Sequence, residues 1–367
     1  MKVGFFSPLP PAPTGIADYS AALLPLLRSC GAVEIAPSEC DVALYHVGNN
    51  TLHRDIYQRA LTHPGVVVLH DAVLQHLLLG MLDSNEYVEE FIYNYGEPSR
   101  DLGRQLWEQR ARSGADARYF ARPMLRRIAS AARAVIVHNP AAATLVREHA
   151  PQANVFEIPH LFRPPAVPSA EETVRFRESL GVTPETLLIG TFGHQRETKR
   201  LTVLLRAFQS ALRAHTDVRL LVSGEFISSA FENAIAPLLQ HPRIIRTAYL
   251  PELELWRYAA AADLCVNLRY PSAAETSGIA VRMMGIGKPV IFTASEALAR
   301  IPENACLRLD VGPEEEQMLA GYIAWLAGNR EAGLGIGRRA AAHVAQCHAP
   351  EKVAREYWNV LREFSRH

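Results

Sequence analysis

The stretch around Glu275 carries residues whose types and order could bind a polar ligand. It reads NLRYPSAAETSGIAVRMMGIGKPVI, in which a strand-like run is followed by a tight loop, a short apolar helix and a second strand. Thr276 and Ser277 are types that cap helices, Gly287 is a type that ends them, and Pro289 cannot continue one. The free N–H groups of a helix N-terminus suit a phosphate or a sugar hydroxyl, and a carboxylate beside them can accept hydroxyl protons. The pattern predicts a ligand cradle, with an ordinary turn and a solvated glutamate as the alternative.

A basic loop follows another apolar run earlier in the chain. The run TLLIGTFG ends at Gly193 and opens into HQRETKR, which places Lys199 beside the start of the next predicted helix. Cations and N–H donors gathered at such a place suit the negative charge of a diphosphate. A solvated charged loop is the alternative interpretation of the same residues.

Polar residues also follow two strand-like runs in the first half of the chain. The run GVVVLHD delivers His70 and Asp71 to the carboxyl end of a predicted strand, although a lone histidine is more often structural. The loop SPLPPAPTGIADYS carries Gly15, Asp18 and Tyr19 around the start of a predicted helix. Gly15 allows the backbone to approach a ligand closely. Asp18 fits either a ligand contact or an ordinary acid in the first helical turn.

The composition is that of an ordinary globular chain. Its 367 residues are 49% hydrophobic and 21% charged, a length that predicts two domains. Lys and Arg together number 38, as do Asp and Glu, so no overall charge indicates a nucleic-acid partner. Five scattered cysteines without CxxC spacing indicate a reducing compartment and no zinc site, which predicts a cytoplasmic protein. No apolar run has membrane-spanning length.

Apolar β-rich runs alternate with helical stretches along the whole chain. KVGFF, DVALYHV, GVVVLH and AVIVHN form one series, and TLLIGTFG, VRLLVSG, RIIRTAYL, DLCVNLRY and KPVIFTA form a second after the linker FRPPAVPSAEET. We therefore predict an α/β protein with two Rossmann-like, doubly wound domains. The N-terminal domain is placed at 1–165 and the C-terminal domain at 166–349, with a last helix at 350–367 packing back on the first domain. Ligands of such sheets bind at the carboxyl ends of the strands, so a cleft between the domains is expected.

Four stretches, taken in order, resemble the motifs of the family-4 retaining glycosyltransferases. They are PPAPTGIADYS, then YHVGNNTLH followed by PGVVVLHD, then FGHQRETKRLTVLLRAF, and lastly the stretch around Glu275. The resemblance covers nearly the whole chain and implies the GT-B arrangement, in which two Rossmann-like domains face an interdomain cleft. It implies a nucleotide-sugar (NDP-sugar) donor held mostly by the C-terminal domain and a glycan, lipid-linked or small-molecule acceptor received by the N-terminal domain. It also implies retention of the anomeric configuration. No cofactor or metal is expected, and no Asp-x-Asp metal clamp is present.

The resemblance also assigns roles to individual residues. Lys199 matches the family's phosphate-binding lysine, Glu275 the carboxylate near the donor sugar, and His70 the histidine that faces this sugar, so these three are the candidate catalytic residues. The expected acceptor-binding residues are Asp18, Tyr19 and Asp71. No nucleophile is assigned, because retention in this family is thought to use the leaving phosphate as the acceptor of the proton. The expected donor-binding residues are Gly15, Gly193, His194, Arg196, Lys199, Glu275, Thr276, Ser277, Gly278 and Ile279.

Two positions depart from the family's pattern. The family usually has an arginine five residues before its phosphate-binding lysine, where this chain has His194. The family also has a second glutamate, which faces the ribose of the donor. The corresponding residue here is Met283 when positions are counted forward from Glu275, and Arg282 when they are counted back from GKPV. These departures leave two alternatives to a transferase. One is a sugar-nucleotide epimerase of the same fold, and the other is an inactive transferase-like subunit that binds a partner enzyme.

The segment from Arg100 to Arg133 is unusually basic. It holds nine arginines against Asp101, Glu108 and Asp116. We hypothesise that it guides an anionic acceptor or makes a peripheral contact with an anionic membrane, where each basic residue adds about 1 kcal/mol. A solvated helical insertion is the alternative.

Overall fold

The computed structural model describes residues 1–365 and contains two parallel sheets of six strands each. The first sheet consists of β1 (Lys2–Phe6), β2 (Ala32–Ile35), β3 (Val42–Val47), β4 (Val66–Leu69), β5 (Ala134–Val137) and β6 (Val155–Glu157), in the spatial order β2-β1-β3-β4-β5-β6. The second consists of β7 (Leu187–Phe192), β8 (Val218–Ser223), β9 (Ile244–Thr247), β10 (Leu264–Asn267), β11 (Val290–Thr293) and β12 (Leu307–Leu309), in the order β12-β11-β10-β7-β8-β9.

Helices connect these strands and cover the sheets. Those of the first half are α1 (Gly15–Cys30), α2 (Arg54–Thr62), α3 (Gln75–Met81), α4 (Ser84–Tyr95), α5 (Arg100–Glu108), α6 (Ala117–Phe120), α7 (Arg126–Ala131) and α8 (Pro140–His149). Those that follow are α9 (Ala170–Ser179), α10 (Leu201–Arg213), α11 (Ser229–Leu239), α12 (Glu252–Ala261), α13 (Gly278–Gly285), α14 (Glu315–Gly328), α15 (Arg330–Cys347) and α16 (Pro350–Glu363).

The sequence explains why the sheets are parallel and enclosed. The central strands β3, β4, β5, β7 and β10 are buried at every position, as strands covered by helices on both faces must be. Asp83 and Ser169 each form a capping box that fixes the start of a helix, α4 and α9 respectively. The prediction of an α/β protein with two doubly wound sheets is confirmed.

The carboxyl edges of the two sheets face each other. In each sheet the chain first builds outward from one side of its first strand and later from the other side. As a result β1 lies between β2 and β3, and β7 lies between β10 and β8. Such a reversal opens a crevice at the carboxyl ends of the strands. The loop after β10 crosses this crevice, where the backbone N–H of Ala72 donates to the carbonyl of Ala273 at 2.8 Å. The crevice is therefore an interdomain cleft.

The last helix, α16, lies against α1 of the first half. Val353, Tyr357 and Leu361 are buried in the same cluster as the core residues of β1 and β3. The hydroxyl groups of Tyr19 and Tyr357 form a buried hydrogen bond of 2.9 Å between the two helices. The chain thus returns to its N-terminal half after completing the second sheet.

The arginine-rich segment from Arg100 to Arg133 is largely paired within the protein. Ion pairs join Arg100 to Glu89 and Glu97, Arg104 to Asp101, Arg118 to Asp116 and Arg127 to Glu90, and three further guanidinium groups lie over aromatic rings. These internal partners reduce the charge that is free to attract an anionic surface. Across residues 1–365, no helix combines the length and the apolar character needed to cross a membrane.

Candidate active site

The loop between β10 and α13, residues 268–277, lies at the centre of the interdomain cleft. Asn139, which follows β5, donates from its side-chain amide to the carbonyl of Ala274 at 2.7 Å and to the hydroxyl of Thr276 at 3.0 Å. Ala274 adopts a φ of 53°, a left-handed conformation that is uncommon for a residue with a side chain. Contacts from both domains therefore fix the backbone on either side of Glu275.

The carboxylate of Glu275 is held from three directions. Its Oε2 accepts hydrogen bonds from the backbone N–H of Ala273 at 2.8 Å and from the hydroxyl of Ser272 at 2.9 Å. Its Oε1 lies 3.0 Å from a guanidinium nitrogen of Arg269. Both Glu275 and Arg269 are about one-fifth exposed, at 19% each, so this carboxylate is fixed in place yet open to the cleft.

The residues after Glu275 that were predicted to form a ligand cradle make contacts within the protein. Ser277 caps α13 by accepting from the N–H of Ala280 at 3.4 Å, and the hydroxyl of Thr276 is used by Asn139. Gly278 begins α13 close to the ring of His160, which a β-carbon at this position would meet at 3.4 Å. Ile279 is partly buried against the C-terminal core.

Three cations gather at the carboxyl ends of β7 and β10. Burial, together with the nearby charges of Arg269 and Arg196, holds the pKa of Lys199 well below its usual range. The Nζ atom of Lys199 donates to the carbonyl of Phe192 at 2.5 Å, and no carboxylate among residues 1–365 forms an ion pair with it. Among residues 1–365, Arg269 is the one member of the three that forms an ion pair with an acidic residue, namely Glu275. A cluster with this excess of positive charge is suited to an anion.

The remaining residues of the basic loop differ in their surroundings. Gly193 has a φ of 81° and lies beside Lys199, whose Nζ would be 3.3 Å from a β-carbon there. Burial lowers the pKa of His194, with Arg196 and Lys199 adding to the effect, and no residue of the described chain forms a hydrogen bond with its Nδ1. Arg200 does not belong to the cluster, because its Nε donates to Glu315 at 2.8 Å.

His70 belongs to a cluster of imidazole rings in which His46 and His138 are buried and His70 and His160 partly buried. Its Nε2 is 2.9 Å from Nδ1 of His46, so one of these nitrogens donates to the other. Its ring lies 5.0 Å from that of His138, and His138 lies 5.6 Å from His160. Burial lowers the pKa of all four histidines, and His138 reaches about 4. Among residues 1–365, no group of three or more His, Cys, Asp and Glu side chains is arranged to hold a metal ion.

Asp71 faces the polar groups of the opposite domain. Its Oδ2 accepts from the backbone N–H of Asn49 at 2.8 Å. Burial raises the pKa of Asp71 to about 6, with Glu275 adding to the rise and Arg196 and Arg269 opposing it. The structure therefore brings Asp71 within electrostatic reach of the residues predicted to bind the donor.

The three residues predicted from the N-terminal loop lie at different depths. Gly15 begins α1 at an exposed position with open space around it. Asp18 is exposed in the first turn of α1, where burial raises its pKa and the charge of Arg282 lowers it. Tyr19 is only 3% exposed, its hydroxyl is bound to Tyr357, and its ring packs at 5.1 Å from His70. The side chain of Tyr19 is therefore enclosed between α16 and the ring of His70, and its predicted contact with an acceptor stays a prediction.

The two residues that compete for the place of the second glutamate have opposite surroundings. Met283 is fully buried in the C-terminal core. Arg282 is half-buried on another face of α13, and its charge reaches Asp18 across the cleft. The residue at this position of the cleft is therefore Arg282, a cation.

Sequence reasoning missed Arg269, Asn139 and His138. Arg269 lies two residues after the end of β10, and His138 and Asn139 follow β5, so all three stand at carboxyl ends of strands, where polar residues of such sheets meet. Their position after a predicted strand could have identified all three as candidate site residues. Asn139 and its partner Thr276 are 137 positions apart, so the sequence gave no indication of that contact, whereas Arg269 lies only six positions before its partner Glu275.

The buried histidines predict a marked loss of stability in mild acid. His46, His70, His138, His160 and His348 all have pKa values lowered by burial, so they stay neutral in the folded chain below pH 6.5 while the unfolded chain takes up protons. The free energy of unfolding then falls as the pH drops below 6.5, by up to about 1.4 kcal/mol per pH unit for each histidine. Asp18, Asp71 and Glu90, whose pKa values burial raises, act in the opposite direction, but burial also lowers the pKa values of four further histidines.

Urea unfolding at pH 7.5, 6.5 and 5.5 measures this loss. His138→Gln is expected to make the dependence on pH shallower, whereas His63→Gln, at an exposed position, should leave it unchanged. Equal stability at pH 7.5 and pH 5.5 would show that the cluster takes up protons without unfolding.

Two comparisons with known proteins bear on this site. Residues 183–329, which contain the basic loop and Glu275, match the model of the family described as Glycosyl transferases group 1. A search of curated protein sequences finds no match.

Solved structures resemble the chain over nearly its whole length. Sucrose-phosphate synthase from Thermosynechococcus elongatus has a TM-score of 0.69 at 16% identity, with 99% of this chain and 98% of that chain covered. HepE from Anabaena, in complex with UDP and glucose, has a TM-score of 0.68 at 15% identity, with 99% and 100% covered. WaaG, a glycosyltransferase involved in lipopolysaccharide biosynthesis, has a TM-score of 0.59 at 16% identity, with 96% and 98% covered. The chain has the GT-B fold of the glycosyltransferases.

Proposed function

We propose that the chain is a retaining glycosyltransferase of family 4 that moves a sugar from an NDP-sugar donor to an acceptor hydroxyl. The observation that carries the proposal is the position of Lys199, Arg196 and Arg269 opposite Asp71 and Glu275. Three cations with one acidic partner fit a diphosphate, and two carboxylates beside them fit the hydroxyl groups of a sugar. The same cations neutralise the leaving group, so the proposed reaction requires no metal ion or other cofactor.

The proposed reaction exchanges one bond at the anomeric carbon of the donor. The bond to the diphosphate oxygen breaks and leaves its electron pair on the diphosphate, where Lys199 and Arg196 stabilise the charge. The acceptor oxygen bonds to the same face of the carbon, and its proton passes to the leaving phosphate. Glu275 binds donor-sugar hydroxyls, while His70, neutral and bonded to His46, faces the reacting carbon.

The acceptor side of the proposal covers glycans, glycolipids and small molecules. We place the protein in the cytoplasm, which agrees with five free cysteines, three of them wholly or partly exposed. The proposed peripheral contact between the Arg100–Arg133 segment and a membrane has weaker support, because most of these arginines have partners within the chain. No nucleic-acid partner is proposed.

A panel of NDP-sugars tests the function directly. UDP-sugars come first, because HepE is described in complex with UDP and glucose. The matching donor, at one hundred times its Kd, should stabilise the protein by about 2.7 kcal/mol in a thermal-shift assay. We expect slow NDP release without acceptor, faster release with one, and no effect of a chelator.

Two results would favour the alternatives instead. Conversion of the donor without NDP release would indicate an epimerase. No NDP release from any donor, together with tight association to another glycosyltransferase, would indicate an inactive subunit. The presence of Arg282 in place of a carboxylate would then account for the lost activity.

A further inference from the structure

The hydrogen bond between His46 and His70 has a direction that determines what His70 offers to a ligand. His70 follows β4 and His46 lies in β3, and the pairing of these strands places His46 beside Val68, two residues before His70. The Nε2 atom of His70 is 2.9 Å from Nδ1 of His46. A neutral imidazole carries one proton, so one ring donates in this bond and the other accepts.

Two arrangements of the protons are compatible with this bond. Burial lowers the pKa of both rings well below its usual range, so both rings are neutral near pH 7. In the first arrangement, Nδ1–H of His46 donates to Nε2 of His70. In the second, Nε2–H of His70 donates to Nδ1 of His46, and the proton of His46 must then be on its own Nε2.

The surroundings of His46 favour the first arrangement. His46 is fully buried, and no residue from 1 to 365 forms a hydrogen bond with its Nε2. The rings of Phe5 and Tyr19 pack beside it, and the hydroxyl of Tyr19 is bonded to Tyr357. The second arrangement would therefore bury an N–H group without an acceptor, whereas the first leaves a bare nitrogen there. Among backbone groups, buried N–H donors without partners are rarer than buried acceptors without partners, and the same preference places the proton of His46 on Nδ1.

The neighbouring histidines do not provide the missing acceptor. The Nδ1 atom of His53 is 3.0 Å from the carbonyl of His46, and Nδ1 of His138 is 2.9 Å from the carbonyl of Ile158. A carbonyl oxygen only accepts, so both rings carry their proton on Nδ1 and have a bare Nε2. Neither of these Nε2 atoms forms a hydrogen bond within the described chain. A proton on Nε2 of His46 would thus remain without a partner.

The proton of His70 then lies on its Nδ1. Its Nε2 accepts from His46, so the neutral ring has its proton on the other nitrogen. His70 is partly exposed, and among residues 1–365 no hydrogen bond engages its Nδ1. An N–H group without a partner at the carboxyl end of β4 is suited to an oxygen of a ligand.

We propose that His46 is a positioning residue that fixes the tautomer of His70, and that His70 thereby presents an N–H group to a hydroxyl oxygen of the sugar in the NDP-sugar. The second part rests on the proposed function, in which His70 faces the reacting carbon. An N–H group cannot remove a proton, and Nε2 is engaged by His46, so neither nitrogen of His70 acts as a base toward the acceptor hydroxyl. The proposed transfer of that proton to the leaving phosphate agrees with this tautomer.

The tautomer of His70 can be measured without a sugar. In the full-length chain labelled with ¹⁵N-histidine, a long-range ¹H–¹⁵N NMR spectrum at pH 7.5 distinguishes a protonated ring nitrogen from a bare one. Comparison with His70→Gln identifies the signals of His70. We expect Nδ1 to carry the proton and Nε2 to be bare, and the reverse would overturn the inference.

Addition of the matching NDP-sugar tests what His70 binds. The Nδ1 signal of His70 should shift with the NDP-sugar and stay in place with the free NDP, because the proposed partner is a sugar hydroxyl. An equal shift with both ligands would assign His70 to the diphosphate and overturn this part of the inference.

Substitution of His46 tests its positioning role. Asparagine places an amide N–H where Nδ1–H stands and can still donate to His70, whereas leucine cannot. We expect NDP release to fall about tenfold in His46→Leu, the effect of losing one hydrogen bond, and to stay within about threefold of the wild type in His46→Asn. His53→Leu is the control, because His53 is also buried and donates through Nδ1, but to the carbonyl of His46 and not to His70. It should keep the rate of the wild type at temperatures where it is folded.

These measurements separate failure of the inference from failure of the proposed function. An equal loss in His46→Asn and His46→Leu, or the same loss in His53→Leu, would overturn the positioning role. A protonated Nδ1 of His70 in a chain that releases NDP from no donor would contradict the transferase and leave the tautomer intact. A protonated Nε2 of His70 in an active chain would overturn the inference and leave the transferase intact.

Discussion

Replacing Lys199 by alanine is expected to lower the rate of NDP release by about 10²- to 10³-fold and to leave the melting temperature nearly unchanged. Negative charge develops on the diphosphate mainly in the transition state, so a cation placed against it accelerates the reaction more than it strengthens ground-state binding. The melting temperature is spared because Lys199 is close to Arg196 and Arg269, and its loss relieves repulsion while it gives up one bond to the carbonyl of Phe192.

Lys288 supplies a matched control for this variant. It is also a partly buried lysine whose pKa burial lowers, and its Nζ donates to the carbonyl of Ala260 at 2.6 Å, but it lies outside the cleft. Lys288→Ala should keep the rate of NDP release of the wild type at temperatures where it is folded. A Lys199→Ala variant with unaltered turnover would mean that the cation cluster does not bind the leaving group.

Local signals in the sequence were sufficient to predict the elements around Glu275. A strand-like run, two capping residues, an apolar stretch and Gly287 before Pro289 predicted a strand, a loop, a helix and a strand, which correspond to β10, residues 268–277, α13 and β11. Each of these signals acts over a few residues, through hydrogen bonding at helix ends and the burial of strands between helices. The alternation of such units then determined the class of fold.

Contacts between distant parts of the chain were beyond the reach of the same reasoning. Tyr19 was predicted to touch an acceptor because it lies in a loop beside Gly15, yet Tyr357 binds its hydroxyl from the other end of the chain. His70 was predicted as a single residue, and its hydrogen bond to His46 depends on the pairing of β3 with β4. Which side chains share one buried space is decided by packing, for which the sequence offers no local signal.

The choice between Met283 and Arg282 as the residue that faces the cleft depended on where helix α13 begins. Counting along the sequence left Met283 and Arg282 as equal candidates for the place of a second carboxylate. In the folded chain Met283 is fully buried, whereas Arg282 is partly exposed and its charge lowers the pKa of Asp18. A shift of one residue changes the helix face by about 100°, so this assignment required the start of α13 at Gly278 to be known.

Glu275→Gln is expected to lower turnover by about 5- to 30-fold without weakening the binding of the free nucleotide. The amide keeps the shape and can still accept from Ala273 and Ser272, but it loses the charge-assisted bond to a sugar hydroxyl, a difference of roughly 1–2 kcal/mol. The substitution also removes the negative charge that pairs with Arg269. An unpaired Arg269 beside Lys199 should hold UDP or GDP at least as tightly as in the wild type.

Calorimetric titration with UDP and GDP, together with steady-state rates of NDP release, separates the two effects. Glu90→Gln is the matched control, because Glu90 is also a buried glutamate bonded to an arginine, Arg127, but it lies on α4 away from the cleft. It should change stability and leave both nucleotide affinity and turnover as they are. If nucleotide affinity fell as far as turnover in Glu275→Gln, this carboxylate would be a ligand of the nucleotide. It would then replace the second glutamate of the family, because Arg282 stands at that position and an arginine cannot accept a hydrogen bond from a ribose hydroxyl.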